Sequence, residues 1–150
     1  MSSFRPRFLA IVLPAIAVGA AFAATTRVSS EKPIVNFRLP AFTAEGHRAY
    51  LIRASEGRIL PGLNVFDVKE LNLSIFSGKA DGRIETLILS PAARVQPAES
   101  LVTGDSTIRV IHDDFEATGS GWSYSQKEKT ISIRKHVRVV LHSQIRAILQ

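Results

Sequence analysis

From Thr118 to Leu141 the chain reads Thr-Gly-Ser-Gly-Trp-Ser-Tyr-Ser-Gln-Lys-Glu-Lys-Thr-Ile-Ser-Ile-Arg-Lys-His-Val-Arg-Val-Val-Leu, with apolar and polar residues in near-strict alternation. A period of two places successive side chains on opposite faces of a strand and suits no helix. This ladder predicts two or three short strands around tight turns. It holds no arrangement of groups that resembles a catalytic centre.

The same pattern extends backwards. Strands are expected at Ile34–Leu39, closed by Pro40, then at His47–Ala54 after a Glu45-Gly46 turn, and at Arg58–Leu60 before Pro61-Gly62. Val65–Phe76 reads as one long strand, with Leu71, Leu73 and Ile75 on one face and Asn72 and Ser74 on the other. The loop Ser77–Gly82 offers two glycines for positive φ, and Arg83–Ser90 returns until Pro91. Shorter strands follow at Ala93–Gln96, Leu101–Gly104 and Thr107–His112, and residues 143–150 continue a strand or form a short helix. Turn signals every eight to twelve residues with no competing helical period indicate an all-β sandwich, barrel or solenoid.

The first residues carry a different signal. Arg5 and Arg7 precede an uncharged apolar run of 17 residues from Phe8 to Ala24, and Ala21-Phe22-Ala23 has the small-x-small form that precedes cleavage. The run is also at the lower limit of a membrane-spanning helix, with the arginines left on the cytoplasmic side. Residues 1–24 are therefore a signal peptide or a membrane anchor, residues 25–33 a linker, and residues 34–150 an exported β domain. Both readings of the leader place that domain outside the cytoplasm.

Composition narrows the function. The 150 residues contain no cysteine, which removes disulfides, thiolate metal sites and a Cys nucleophile. A formal charge of +6 favours anionic partners, but the basic residues are spread through the strands without the tight, aromatic-interleaved stripe of a nucleic-acid binder. The densest run, Arg134-Lys135-His136-Val137-Arg138, reads first as a solvated strand face. His112-Asp113-Asp114 groups an imidazole with carboxylates, yet a metal would need further ligands from elsewhere; the simpler reading is a strand end entering a turn. Gly119-Ser120-Gly121 precedes a strand and is no nucleophile elbow. Trp122 and Tyr124 share a face, as a lipid-lining pair or, in the favoured reading, as core. No catalytic residue, metal site or cofactor is expected, and the chain is not expected to be an enzyme.

The order of these signals resembles the OstA-like β-jellyroll family of lipopolysaccharide transport, and within it the LptC branch. The likeness rests on the basic-then-apolar leader, Leu101–Gly104, Thr107–Ile111, Gly119–Tyr124, Ile131-Ser-Ile133 and His136–Val139. Two positions depart from the family pattern: Ser125-Gln126 follows Tyr124 where an acidic turn is usual, and His136 replaces a small residue.

The resemblance implies a twisted, open jellyroll of antiparallel strands behind an N-terminal apolar helix. It further implies a periplasmic bridge that takes lipopolysaccharide from an inner-membrane ABC exporter and passes it to a β-jellyroll relative by edge-strand pairing. Membrane contact would come through the N-terminal segment if it is uncleaved. Candidate groove-lining residues are Leu71, Leu73, Ile75, Leu87, Leu89, Ile108, Val110, Ile131, Ile133, Val137 and Val139. Arg134, Lys135 and Arg138 are candidates for the anionic head group. The alternative is an envelope structural or assembly protein with a closed β-sandwich.

Overall fold

The computed structural model describes residues 32–142; the leader, most of the linker and the last eight residues lie outside them. Seven strands are present: β1 (Ile34–Phe42), β2 (Arg48–Leu60), β3 (Val65–Phe76), β4 (Ile84–Gln96), β5 (Leu101–His112), β6 (Phe115–Ser125) and β7 (Thr130–Leu141). They form one antiparallel sheet in the order of the sequence, open at β1 and β7. Pro97–Glu99 adds one 3₁₀ turn between β4 and β5. The expected all-β, open architecture is the one observed, while the N-terminal helix expected before it falls outside the described residues.

The strands are fewer and longer than the turn signals suggested. Pro40 does not close β1 but pairs with Leu51 inside it. An edge strand tolerates proline because half of its N–H groups face away from the sheet. The segments expected at 47–54 and 58–60 fall in one strand, which starts at Arg48, and those at 101–104 and 107–112 are also one strand. Pro91 likewise lies within β4, opposite Glu70, where pairing lapses on both sides. The Ser77–Gly82 loop behaves as expected, with positive φ at Gly78 and Gly82. There the Ser77 hydroxyl donates to Asp81 Oδ1 at 2.6 Å and the Arg83 N–H donates to the same oxygen at 3.1 Å.

Irregularities within the strands align across most of the sheet, at the level of Pro91. Positive φ occurs at Asn36 in β1, Glu70 in β3, Gly121 in β6 and His136 in β7. Register shifts fall between Leu89 and Arg94, between Gly104 and Thr107, and between Thr118 and Ser120. An irregularity in one strand is a bulge that bends it and increases its twist. One at the same level in nearly every strand is a crease across the whole sheet. Buried residues from both sides of the crease, Ile52, Leu73 and Val110 on one and Val95, Val102 and Tyr124 on the other, pack in one core cluster, so the sheet folds and its two halves face each other.

The core fills the angle of that fold. Trp122, Ile52, Leu71, Leu73, Ile88, Val68, Val95 and Val110 are its largest fully buried side chains, each contributing roughly 1.5–3 kcal/mol through burial. Gly104 pairs with Trp122, and a Cβ there would lie 2.5 Å from the indole Nε1. The absence of a side chain is what lets the indole lie flat against β5. Ser90, buried at the crease, receives the Trp122 Nε1–H at 3.3 Å and approaches the Thr107 carbonyl oxygen at 2.8 Å.

Candidate lipid-binding face

Residues paired across antiparallel strands project to the same face, so the register places each candidate. One row runs Leu39–Ile52–Leu73–Ile88–Val110–Ala117–Val139 through all seven strands. Every member is apolar. On the far side of the crease a second row runs Ile59–Phe66–Val95–Val102–Tyr124–Ile131. Leu71, Leu73, Ile75, Ile108, Val110, Ile131, Ile133, Val137 and Val139 therefore all belong to the interior side.

Leu87 and Leu89 do not. Leu87 pairs with Ser74 and Ile111, and Leu89 with Asn72 and Arg109, which sets both on the outer face. Ile88, between them, takes the interior position and is fully buried. The Leu-Ile-Leu run leaves either parity open in the sequence, and only the register across the Ser77–Arg83 turn chooses between them. Ile88 is thus an interior residue that sequence reasoning missed, as are Ile52 and Ala117.

The interior changes character along the sheet. Leu73 and Val110 are 0% and 1% exposed, whereas Val139 in the same row is 53% exposed. Val137 and Leu141 on β7 are exposed too, and Ile131, Ile133 and Phe115 are partly buried against the core. Between β2 and β6 the fold is filled by its own side chains, and it opens as an apolar seam along β7. Trp122 and Tyr124 lie deep in the filled part, the favoured core reading. Burial pushes the Tyr124 phenol up to about 12, and Tyr50 is raised for the same reason.

The basic candidates lie on the same strand, and the register puts Arg138 across it from the seam. Arg138 pairs with Thr118 on the outer face. Arg134 approaches Asp105 only to 3.8 Å between strongly exposed groups. Lys135 pairs with Ser120 at the crease and is exposed. The structure therefore sets an apolar seam and a cationic rim along one edge strand rather than in one pocket.

Two clefts lie along the crease on the outer face. One, of about 790 Å³, is lined by Glu56, Asp67, Lys69 and Arg94, which satisfy each other through ion pairs of 3.0 and 2.8 Å. The other, of about 990 Å³, is bordered by Asn72, Leu89, Pro91, Arg109, Thr118 and His136. The Arg109 Nε–H donates to Glu116 at 2.6 Å and holds that carboxyl below its ordinary range. His112 stacks on Phe115 and its Nδ1 receives the Asp114 N–H at 3.2 Å, which fixes the turn. Among the described residues, no three His, Cys, Asp or Glu side chains gather in a way that could hold a metal ion.

No curated protein matches the chain. The family model for lipopolysaccharide assembly, LptC-related, matches residues 72–142, from the middle of β3 to the end of β7. The matched segment holds the whole exposed seam and five of the seven strands in whole or part. Over this span, 71 of the 150 residues, the chain is similar to the LptC-related family of lipopolysaccharide assembly.

Proposed function

We propose that this protein is a periplasmic bridge in lipopolysaccharide export, taking the lipid from an inner-membrane ABC exporter and handing it to a β-jellyroll relative. The observation that carries the reading is the apolar row that is closed at Leu73 and Val110 and open at Val139. Acyl chains enter along β7 and lie against Ile131, Ile133, Val137 and Val139, each CH₂ removed from water contributing about 0.8 kcal/mol. Leu71, Leu73, Ile75, Ile108 and Val110 back this seam as the wall that the lipid meets if the two half-sheets part. Arg134, Lys135 and Arg138 border it and suit phosphate on the head group.

The free edges fit the hand-over. β1 and β7 each have one unpaired side, and an unpaired strand edge accepts a further strand through main-chain hydrogen bonds. The leader, residues 1–24, delivers residues 34–150 to the periplasm, either as a peptide cleaved after Ala23 or as an inner-membrane anchor joined by the linker at 25–33. N-terminal sequencing of the mature protein separates these two.

The filled middle of the interior favours a second reading, an envelope assembly protein with a closed sandwich. Photocrosslinking in cells from Val139, Ile131, Leu73 and Leu87 decides between them. A bridge gives lipopolysaccharide adducts at Val139 and Ile131 and none at outward-facing Leu87. No adduct at any interior position, or equal yield at Leu87, would sink the bridge.

A further inference from the structure

The outer face of the sheet carries a row that neither the core nor the apolar seam explains. Following the register, it runs Arg38–Arg53–Asn72–Leu89–Arg109–Thr118–Arg138 across all seven strands. Four of its seven positions are arginine and none is acidic. All four arginines are exposed. Arg109 is engaged by Glu116, but Arg38, Arg53 and Arg138 have no carboxylate partner among the described residues. Arg38 and Arg53 stand directly opposite each other on neighbouring strands. Like charges so placed repel, and an anion between them removes the penalty.

The adjoining row on the same face is Pro40–Leu51–Ser74–Leu87–Ile111–Glu116–Val140. Apolar groups beside an arginine row form the surface that lies at a lipid interface, with side chains at head-group depth. The row also begins at the right end of the chain. Arg38 lies in β1, and only residues 25–33 separate β1 from the apolar run that ends at Ala24. So short a segment spans at most about 35 Å, so an inserted leader holds the Arg38–Arg53 pair within reach of its own membrane.

We propose that this outer face docks on an anionic phospholipid surface, with Arg38 and Arg53 as the principal contacts and Arg138 at the far end of the row. The lipid surface thereby sets the orientation of the domain and turns the opposite, apolar side of the sheet away from the bilayer. Apart from Arg138, which the transport reading also uses, the proposal concerns the opposite face and needs no lipopolysaccharide.

The test uses the full chain in liposomes. Because the protein has no cysteine, Thr118→Cys accepts a single fluorophore on the row and Ser132→Cys one on β7 away from it. Quenching by a head-group quencher is compared in phosphatidylcholine alone and in equal parts phosphatidylcholine and phosphatidylglycerol. Docking quenches the Thr118→Cys label in the anionic vesicles only and is released by high salt. An arginine near an anionic surface contributes a factor of about five. Arg38→Gln with Arg53→Gln therefore lowers the docked-to-free ratio about 25-fold, whereas Arg38→Lys with Arg53→Lys keeps most of it.

Emission from Trp122, the single tryptophan, reports that the variants are folded. Equal quenching in both vesicles, or quenching unchanged by the glutamine pair, overturns the proposal. So does a Thr118→Cys label silent on both vesicles and shielded only when lipopolysaccharide is added, which would assign the row to cargo.

Discussion

The indole of Trp122 donates its Nε1–H to the hydroxyl of Ser90 at 3.3 Å, across 32 residues of sequence. Ser90 in turn reaches the Thr107 carbonyl oxygen at 2.8 Å, and Ser106 donates to the Ala92 carbonyl oxygen at 3.1 Å. β4, β5 and β6 are thus tied together at the crease, where their main-chain pairing is interrupted. Side chains supply there the hydrogen bonds that the ladder cannot, as buried polar groups require.

Ser90→Ala removes the acceptor and leaves the indole N–H buried without a partner. The expected loss is about 1–3 kcal/mol, read from urea unfolding followed by far-ultraviolet circular dichroism, which also serves the variants without Trp122. Trp122→Phe costs more on its own because it empties core volume, but it removes the orphaned donor. The double variant is expected to be less destabilised than the two single losses added together. Strict additivity would show that the contact contributes nothing.

Gly104→Ala is expected to destabilise by about 1–3 kcal/mol, the usual effect of forcing volume into a filled core. The new methyl would lie 2.5 Å from the Trp122 Nε1. In a Trp122→Phe background the smaller ring leaves room on that side, so the same substitution should cost clearly less. Thermal unfolding of the four proteins measures this.

Lys129 closes the turn between β6 and β7 with φ +51, a left-handed conformation that glycine adopts without steric cost. Lys129→Gly is expected to stabilise by about 0.5–1 kcal/mol, the relieved strain exceeding the entropy that glycine adds to the unfolded chain. A lower urea midpoint would contradict the assignment of strain to this turn.

The two tyrosines predict an alkaline transition. Both phenols are raised above their ordinary value of 10.0 by burial, Tyr124 to about 12. Above pH 10 the unfolded chain releases these protons while the folded one retains them, so stability is intact below pH 10 and falls as pH rises beyond it. Tyr124→Phe should flatten that fall. Since the chain has only two tyrosines, tyrosinate absorbance follows them directly, rising near 10 in urea and later in the folded protein.

Much of this fold is visible in the sequence, and the part that is not has a local cause. Alternation at Leu71–Ile75 and Ile131–Val139 announces strands and gives the correct inward face. Pro40, Pro91 and Gly104 suggest strand ends, yet all three lie inside strands. Proline and glycine interrupt regular pairing, and whether the chain then turns or merely bends depends on the neighbouring strands. Around Pro91 and Gly104, irregularities in β1, β3, β6 and β7 fall at the same level, so these interruptions add up to a crease instead of a set of loops.

The face of β4 is hidden for a related reason. Leu87, Ile88 and Leu89 are equally apolar, so hydrophobicity cannot choose between them, and the register that turns Ile88 inward comes from the hairpin with β3. The partnership of Ser90 with Trp122 and the row from Arg38 to Arg138 are relations between distant strands. Neither has any signature within a single segment.

The strand order has a consequence for how such a protein comes into being. Each strand is hydrogen-bonded only to the one before it and the one after it. A chain delivered amino end first, from a ribosome or through an export pore, therefore finds the partner of every new strand already in place. Nothing has to be held open for a late arrival, and no segment must thread back between finished ones. A protein assembled in this way can grow or shorten over evolution by whole hairpins at its carboxyl end, leaving the earlier strands undisturbed.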